Sequence, residues 1–388
     1  MKQTKSILLI IVFSQFCCTS LWFATNGIIE DLVNNFTLNH SALGHLSSAV
    51  QFGFIIGTFF FALLTITDRF SPSKVFFASA IIAALFNLGI VLENHNIISL
   101  LILRFGTGFF LAGIYPVGMK IAADYFDKGL GKSLGYLVGA LVLGTAFPHV
   151  LKGVGGSFSW QLIIYTTTAL AMFGGAIMVL LVPDGPYRKP VTAFDSAVFF
   201  NVFKVSNFRK AAFGYFGHMW ELYTFWAFVP IILSAYLELH PQANFNISML
   251  SFVIIASGGL ACVISGYLSQ IYGSKKIGAI ALMLSGLCCL VSPIFFSITT
   301  ETIFILFLVF WGMVVVADSP LFSTLIAKNV SPKHKGTALT IVNSIGFTTT
   351  IISIQIANII IDVIAIKYLF LSIAIGPILG LVGLLNKN

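Results

Sequence analysis

Apolar residues run through this chain in solid blocks of roughly 20, the length at which an α-helix crosses the hydrocarbon of a bilayer. Short polar joints separate one block from the next. The pattern predicts twelve membrane-spanning helices, near residues 7–29, 43–66, 74–94, 98–123, 133–152, 159–183, 211–235, 247–271, 277–298, 302–327, 337–361 and 365–385. Runs this long exclude a transmembrane barrel, whose strands alternate polar and apolar over about ten residues. The expected fold class is an all-α membrane protein. The first block follows Met1–Lys5 in the manner of a secretion signal, yet it continues through Trp22 to Ile29 without a small-x-small cleavage site, so it reads as a retained first helix.

Composition agrees with lipid as the solvent: 58% of residues are hydrophobic and 9% are charged, a balance that polar surface could hardly cover in water. The formal net charge is +8, but the basic residues are dispersed and form no single patch for nucleic acid. They occupy every second joint: Lys2 and Lys5; Arg69 and Lys74; Lys128 and Lys132; Arg188, Lys189, Lys204, Arg209 and Lys210; Lys275 and Lys276; Lys328, Lys333 and Lys335; Lys387. The opposite joints hold little beyond Lys152 and Lys367. Under the positive-inside rule both termini and the long middle joint are cytoplasmic, in the inner membrane if the source is bacterial. All five cysteines lie inside predicted spans and suggest neither a disulfide framework nor a metal site; they read as lipid-facing or packing residues.

The longest polar break begins with Pro183-Asp-Gly-Pro186 and runs to Lys210. It divides the chain into a first six-helix bundle (1–183), a linker (184–210) and a second six-helix bundle (211–388). The halves echo each other. Asp68-Arg69 after the second span corresponds to Gln270 and Lys275-Lys276 after the eighth, Gly108 to Gly312, Tyr115-Pro116 to Ser319-Pro320, and Trp22 to Trp226. Six-plus-six duplication is a common way to build a transporter.

On these motifs the chain resembles the major facilitator superfamily. The joint after the second span is similar to that family's cytoplasmic signature, with Leu64 and Ser71 where glycines are usual, and Arg104-Phe-Gly-Thr-Gly108 is similar to its signature in the fourth helix. The resemblance implies two pseudo-symmetric six-helix bundles and a cavity lined by the first, fourth, seventh and tenth helices. It also implies gating contacts through Asp68, Arg69, Lys275 and Lys276. Asp68 can face the positive N-terminal end of a neighbouring helix, the eleventh after Lys335, as a breakable latch; the alternative is that these residues only anchor the loop in headgroups.

Ionisable side chains within spans are costly and default to functional candidates. Here they are few. His218 and Glu221 lie three residues apart on the seventh span, Asp318 stands just before Pro320 on the tenth, and Arg104 is on the fourth. Glu221 is the first choice for a proton carrier, because burial raises a carboxyl's affinity for protons, and His218 could share that proton. Asp318 would hold a proton or cation, or serve as partner for Lys120 or Arg104. Arg104 would bind a carboxylate, an anionic solute or headgroups. Trp22, Asn26, Tyr115, Tyr223 and Trp226 complete the expected solute and proton pathway.

No phosphate-binding loop and no long soluble segment point to nucleotide hydrolysis. The expected function is a secondary transporter, a monomer in the bilayer, moving a small organic solute by alternating access with proton coupling and without cofactor or metal. An uncoupled facilitator or efflux permease, a membrane-embedded enzyme and a transporter-like receptor are the alternatives.

Overall fold

The computed structural model describes residues 2–39, 41–126, 130–155, 159–188, 201–331 and 335–386. Lys128, Lys189, Phe199, Phe200, Lys333, Lys387 and most of the linker fall outside this set, and so do the side chains of Lys2, Lys5, Asp68, Lys132 and Lys335. The latch expected of Asp68 therefore lies outside the described side chains. Among the described residues the regular structure is helical throughout.

The helices are α1 (Lys2–Thr19), α2 (Ala42–Leu63), α3 (Pro72–Val91), α4 (Ile97–Tyr125), α5 (Ser133–Gly155), α6 (Trp160–Leu181), α7 (Ser206–Leu239), α8 (Ile247–Tyr272), α9 (Ser274–Phe296), α10 (Glu301–Lys328), α11 (Thr337–Ile360) and α12 (Ile366–Leu385). Eleven of these are long and apolar enough to cross a membrane, and the apolar stretch Ser6–Thr19 of α1 is shorter. The chain separates into two compact units, Met1–Asp195 and Ser196–Asn388.

Several helices depart from the unbroken spans that hydropathy predicts. α1 stops at Thr19 instead of continuing to Ile29; turns carry residues 20–25, and a separate short helix, Ile29–Phe36, follows. α4 breaks at residues 112–114, immediately before Tyr115 and Pro116, as expected where proline removes a backbone donor and biases the residue before it away from helix. α10 breaks at Asp318, two residues before Pro320. α7 begins at Ser206, earlier than residue 211, and runs 34 residues through Pro230.

Small residues set how closely the helices pack. In the first unit a Cβ on Gly108 of α4 would stand 1.8 Å from the Val50 carbonyl oxygen of α2. In the second, a Cβ on Gly312 of α10 would stand 2.1 Å from the Ile254 oxygen of α8. The correspondence of Gly108 with Gly312 thus has a physical content: each marks where a broken helix touches the backbone of its neighbour. Gly144 of α5 likewise meets Thr19 and Phe16 of α1.

The start of the linker is folded onto the first unit. The Tyr125 hydroxyl donates to the Pro183 carbonyl at 2.5 Å, Tyr187 N–H to the Asp124 carbonyl at 3.0 Å, and the Ser71 hydroxyl to Asp184 at 2.6 Å. Arg188 pairs with Asp184 and donates to the Phe70 carbonyl at 2.9 Å. In the α2–α3 loop Arg69 donates to the Thr65 hydroxyl at 3.0 Å. In the second unit Lys275 and Lys276 are exposed, and Lys276 sits 5.9 Å from the Tyr272 ring.

Candidate functional site

Among the described residues each unit buries polar side chains where a helix ends or breaks. In the second unit α7 contributes His218 and Glu221 one turn apart, both 1% exposed. The Glu221 carboxylate accepts from Trp311 Nε1 of α10 at 2.7 Å, from Ser285 Oγ of α9 at 2.9 Å and from Cys289 Sγ of α9 at 3.2 Å. Three donors from two helices fix this carboxylate inside the bundle. His218 Nδ1 stands 2.7 Å from Asp318 Oδ1, an ion pair when the ring is protonated, while neither ring nitrogen of His218 and neither carboxylate oxygen of Asp318 has a hydrogen-bond partner.

Asp318 owes its place to the break in α10. Pro320 has no N–H for the Val316 carbonyl, and Leu321 N–H bonds back to Asp318 O at 2.9 Å instead of to Ala317 O. Side chains of α8 reach the carbonyls at this break: Cys262 Sγ donates to Val316 O at 3.3 Å and Ser265 Oγ to Ala317 O at 2.6 Å. Irregular backbone at membrane depth persists when protein groups satisfy it, and here side chains of α8 do so. Further along α7, Tyr223 packs against Trp226 and Phe347 with ring centroids 5.2 Å apart in both pairs, and Thr224 and Ser353 hydroxyls lie 2.5 Å apart.

The first unit is organised around the end of α1. Arg104 is fully buried. It donates from Nη1 to the Leu21 carbonyl at 3.0 Å and from Nη2 to the Trp22 carbonyl, supplying donors to carbonyls that helix termination leaves open. Asn26 donates to Ser47 Oγ of α2 at 2.9 Å, and the Trp22 ring lies 4.9 Å from Phe54 of α2. Tyr115 is buried at the break in α4.

These placements correct several expectations. Arg104 is fully buried and clamps two backbone carbonyls. Asp318 stands against His218, and Lys120 is 3.7 Å from Asp124 on its own helix. Of the two readings of the cysteines, packing is the one that agrees with their burial: all five are buried, and two of them donate within the polar centre of the second unit. Ser285, Cys289 and Trp311 were not legible as partners of Glu221, because serine, cysteine and tryptophan in an apolar span carry no signal of direction. Among the described residues no three His, Cys, Asp or Glu side chains come together as a metal-ligand set.

The sequence profile of the Major Facilitator Superfamily matches residues 11–354. The chain belongs to that superfamily, and is therefore a multi-pass membrane transporter, not an enzyme. Among solved structures its fold is similar to that of the proton:xylose symporter XylE bound to 6-bromo-6-deoxy-D-glucose, with a TM-score of 0.76 and 13% sequence identity over 99% of this chain and 95% of that one. A search of curated proteins finds no match.

Proposed function

We propose that the chain is a proton-coupled secondary transporter that carries a small organic solute by alternating access, with both termini on the cytoplasmic side. The observation that carries this reading is the His218–Asp318 contact of 2.7 Å, fully buried at the break in α10. An acid and a base buried in contact within a bundle of apolar helices are expensive to maintain without a role. A pair that binds and releases a proton as the break flexes is a coupling device. Glu221, one turn from His218 and held by three donors, is the anchor that keeps α7, α9 and α10 in register around the pair. XylE, similar in fold, is itself a proton symporter, which agrees with the proposal. The alternation of basic joints supports the orientation.

The test uses proteoliposomes with an imposed pH gradient and a panel of labelled sugars, amino acids and carboxylates. Wild type is expected to accumulate a solute against its gradient, while Asp318→Asn retains solute exchange and loses accumulation. Accumulation by Asp318→Asn equal to wild type would overturn the coupling role. The Asp68 latch belongs to the same proposal: Asp68→Asn is expected to slow uptake at equal surface expression, and unchanged uptake would remove it.

A further inference from the structure

Between α5 and α6 the first unit carries an apolar groove that none of the site residues described above lines. Its α5 wall includes Phe147, Val150 and Val154, spaced as one face of a helix, and its α6 wall includes Leu162 and Thr166, one turn apart. The cavity between them measures about 300 Å³. At 1.5 Å per residue the stretch from Phe147 to Val154 is about 10 Å long. Val154 is 71% exposed and Leu162 42%, so the groove opens outward, where an apolar surface of a membrane protein meets lipid.

The end of α5 brings charge to this groove. Lys152, in the last turn of the helix, is part of the lining. Its ammonium donates to both carboxylate oxygens of Asp31, at 2.8 and 2.6 Å. Asp31 and the exposed Glu30 stand in the first turn of the short helix Ile29–Phe36. The lysine and aspartate side chains keep 29% and 26% of their surface exposed. A lysine stem lying along an apolar wall with its head at the end of a span is the arrangement expected where hydrocarbon gives way to headgroups. The ion pair by itself ties the short helix to α5; the apolar groove beside it is a feature that this tie does not require.

Size and charge together select the occupant. A stable protein interface buries on the order of 1,200 Å² or more, far beyond a groove of about two helical turns, whereas an acyl chain is thin enough to lie in it. A lysine alone would favour anionic lipid. Here Asp31 offsets the lysine and Glu30 adds a second negative charge beside it. An ammonium has three donors, and the Asp31 oxygens take two of them, which leaves one for a phosphate oxygen. One cation next to two carboxylates is the complement of a headgroup that carries both a phosphate and an ammonium.

We propose that this groove binds an acyl chain of a zwitterionic phospholipid, with the phosphate on Lys152 and the headgroup ammonium on Asp31 and Glu30. The bound lipid joins α5, α6 and the short helix at the end of the bundle. The site is independent of which solute is carried and of how transport is coupled.

Purified full-length protein in detergent is mixed with a phosphatidylcholine that bears a diazirine on one acyl chain, irradiated, and mapped by peptide mass spectrometry. Labelling is expected to saturate at the groove residues of α5 and α6. Unlabelled phosphatidylcholine and phosphatidylethanolamine should compete roughly tenfold more strongly than anionic phosphatidylglycerol, the weight of one hydrogen bond to a charged group. Leu162→Trp, which fills the groove from its exposed rim, is expected to lose this labelling at an unchanged melting temperature. Asp31→Asn is expected to erase the headgroup preference; should it not fold, Glu30→Gln, at an exposed position, is expected to narrow the preference several-fold. Labelling spread evenly over all outward-facing helices, equal competition by the three lipids, undiminished labelling of Leu162→Trp, or a preference that survives in whichever charge variant folds would each overturn the proposal. Groove labelling that falls as protein concentration rises would also overturn it, because a second copy of the chain would then be the occupant.

Discussion

Glu221→Ala removes the common acceptor of three buried donors, and the structure says which of them is stranded. The Ser285 hydroxyl keeps a second acceptor, the Leu282 carbonyl at 3.1 Å, and the Cys289 thiol is a weak donor. Trp311 Nε1, at 2.7 Å from Glu221, has no other acceptor shown. Leaving it unsatisfied costs about 1–3 kcal/mol, and truncating the side chain in a packed interior adds a loss on the order of 2 kcal/mol. Glu221→Gln differs sharply. Its amide oxygen still accepts from Trp311 and Cys289, and its NH₂ can donate to the Ser285 oxygen while that hydroxyl turns to Leu282. The glutamine variant should therefore stay within about 1 kcal/mol of wild type, the range of one net hydrogen bond. Thermal unfolding of the detergent-purified variants, followed by intrinsic fluorescence, checks this. Glu221→Ala should melt clearly below wild type, Trp311→Phe in between and Glu221→Gln close to wild type. Alanine and glutamine variants melting together, or the alanine variant melting with wild type, would refute the view of Glu221 as the anchor of α7, α9 and α10.

Two more outcomes follow from the packing. Gly108→Ala and Gly312→Ala each drive a methyl into a neighbouring backbone oxygen, at 1.8 Å and 2.1 Å before relaxation, so both should lower the yield of monodisperse protein on size exclusion, whereas Gly266→Ala, with open space around it, should not. Ser265→Ala removes the donor to the Ala317 carbonyl freed by the α10 break and should destabilise by about 1–3 kcal/mol, the cost of an orphaned buried acceptor; Ser269→Ala, whose hydroxyl bonds only within its own helix, should melt within error of wild type.

The spans were legible because bilayer thickness dictates both their length and their composition, and the pairing of Gly108 with Gly312 was legible because both halves repeat the same spacing. Candidates for the second unit's centre could be named for a similar reason: His218, Glu221 and Asp318 are conspicuous where ionisable groups are rare. Their partnerships could not be. Past Thr19 the carbonyls of Leu21 and Trp22 are taken by Arg104, 83 positions away from Leu21, a partnership that no local pattern announces. Arg104 was open to several readings because hydropathy gives no azimuth and so does not say which neighbour a side chain on the span faces. Pro320 marked the break in α10, yet nothing in the sequence of α8 announced that Cys262 and Ser265 would satisfy the carbonyls it frees.

Coupling through the buried His218–Asp318 pair is tested most directly by proton movement itself. Vesicles containing a pH-sensitive dye and the wild-type protein, with no gradient imposed, are given each solute of the panel in turn. The account predicts that the solute that is taken up changes the internal pH as it enters, and that Asp318→Asn abolishes the pH change while solute still equilibrates. Solute uptake by wild type with no accompanying proton movement would contradict it.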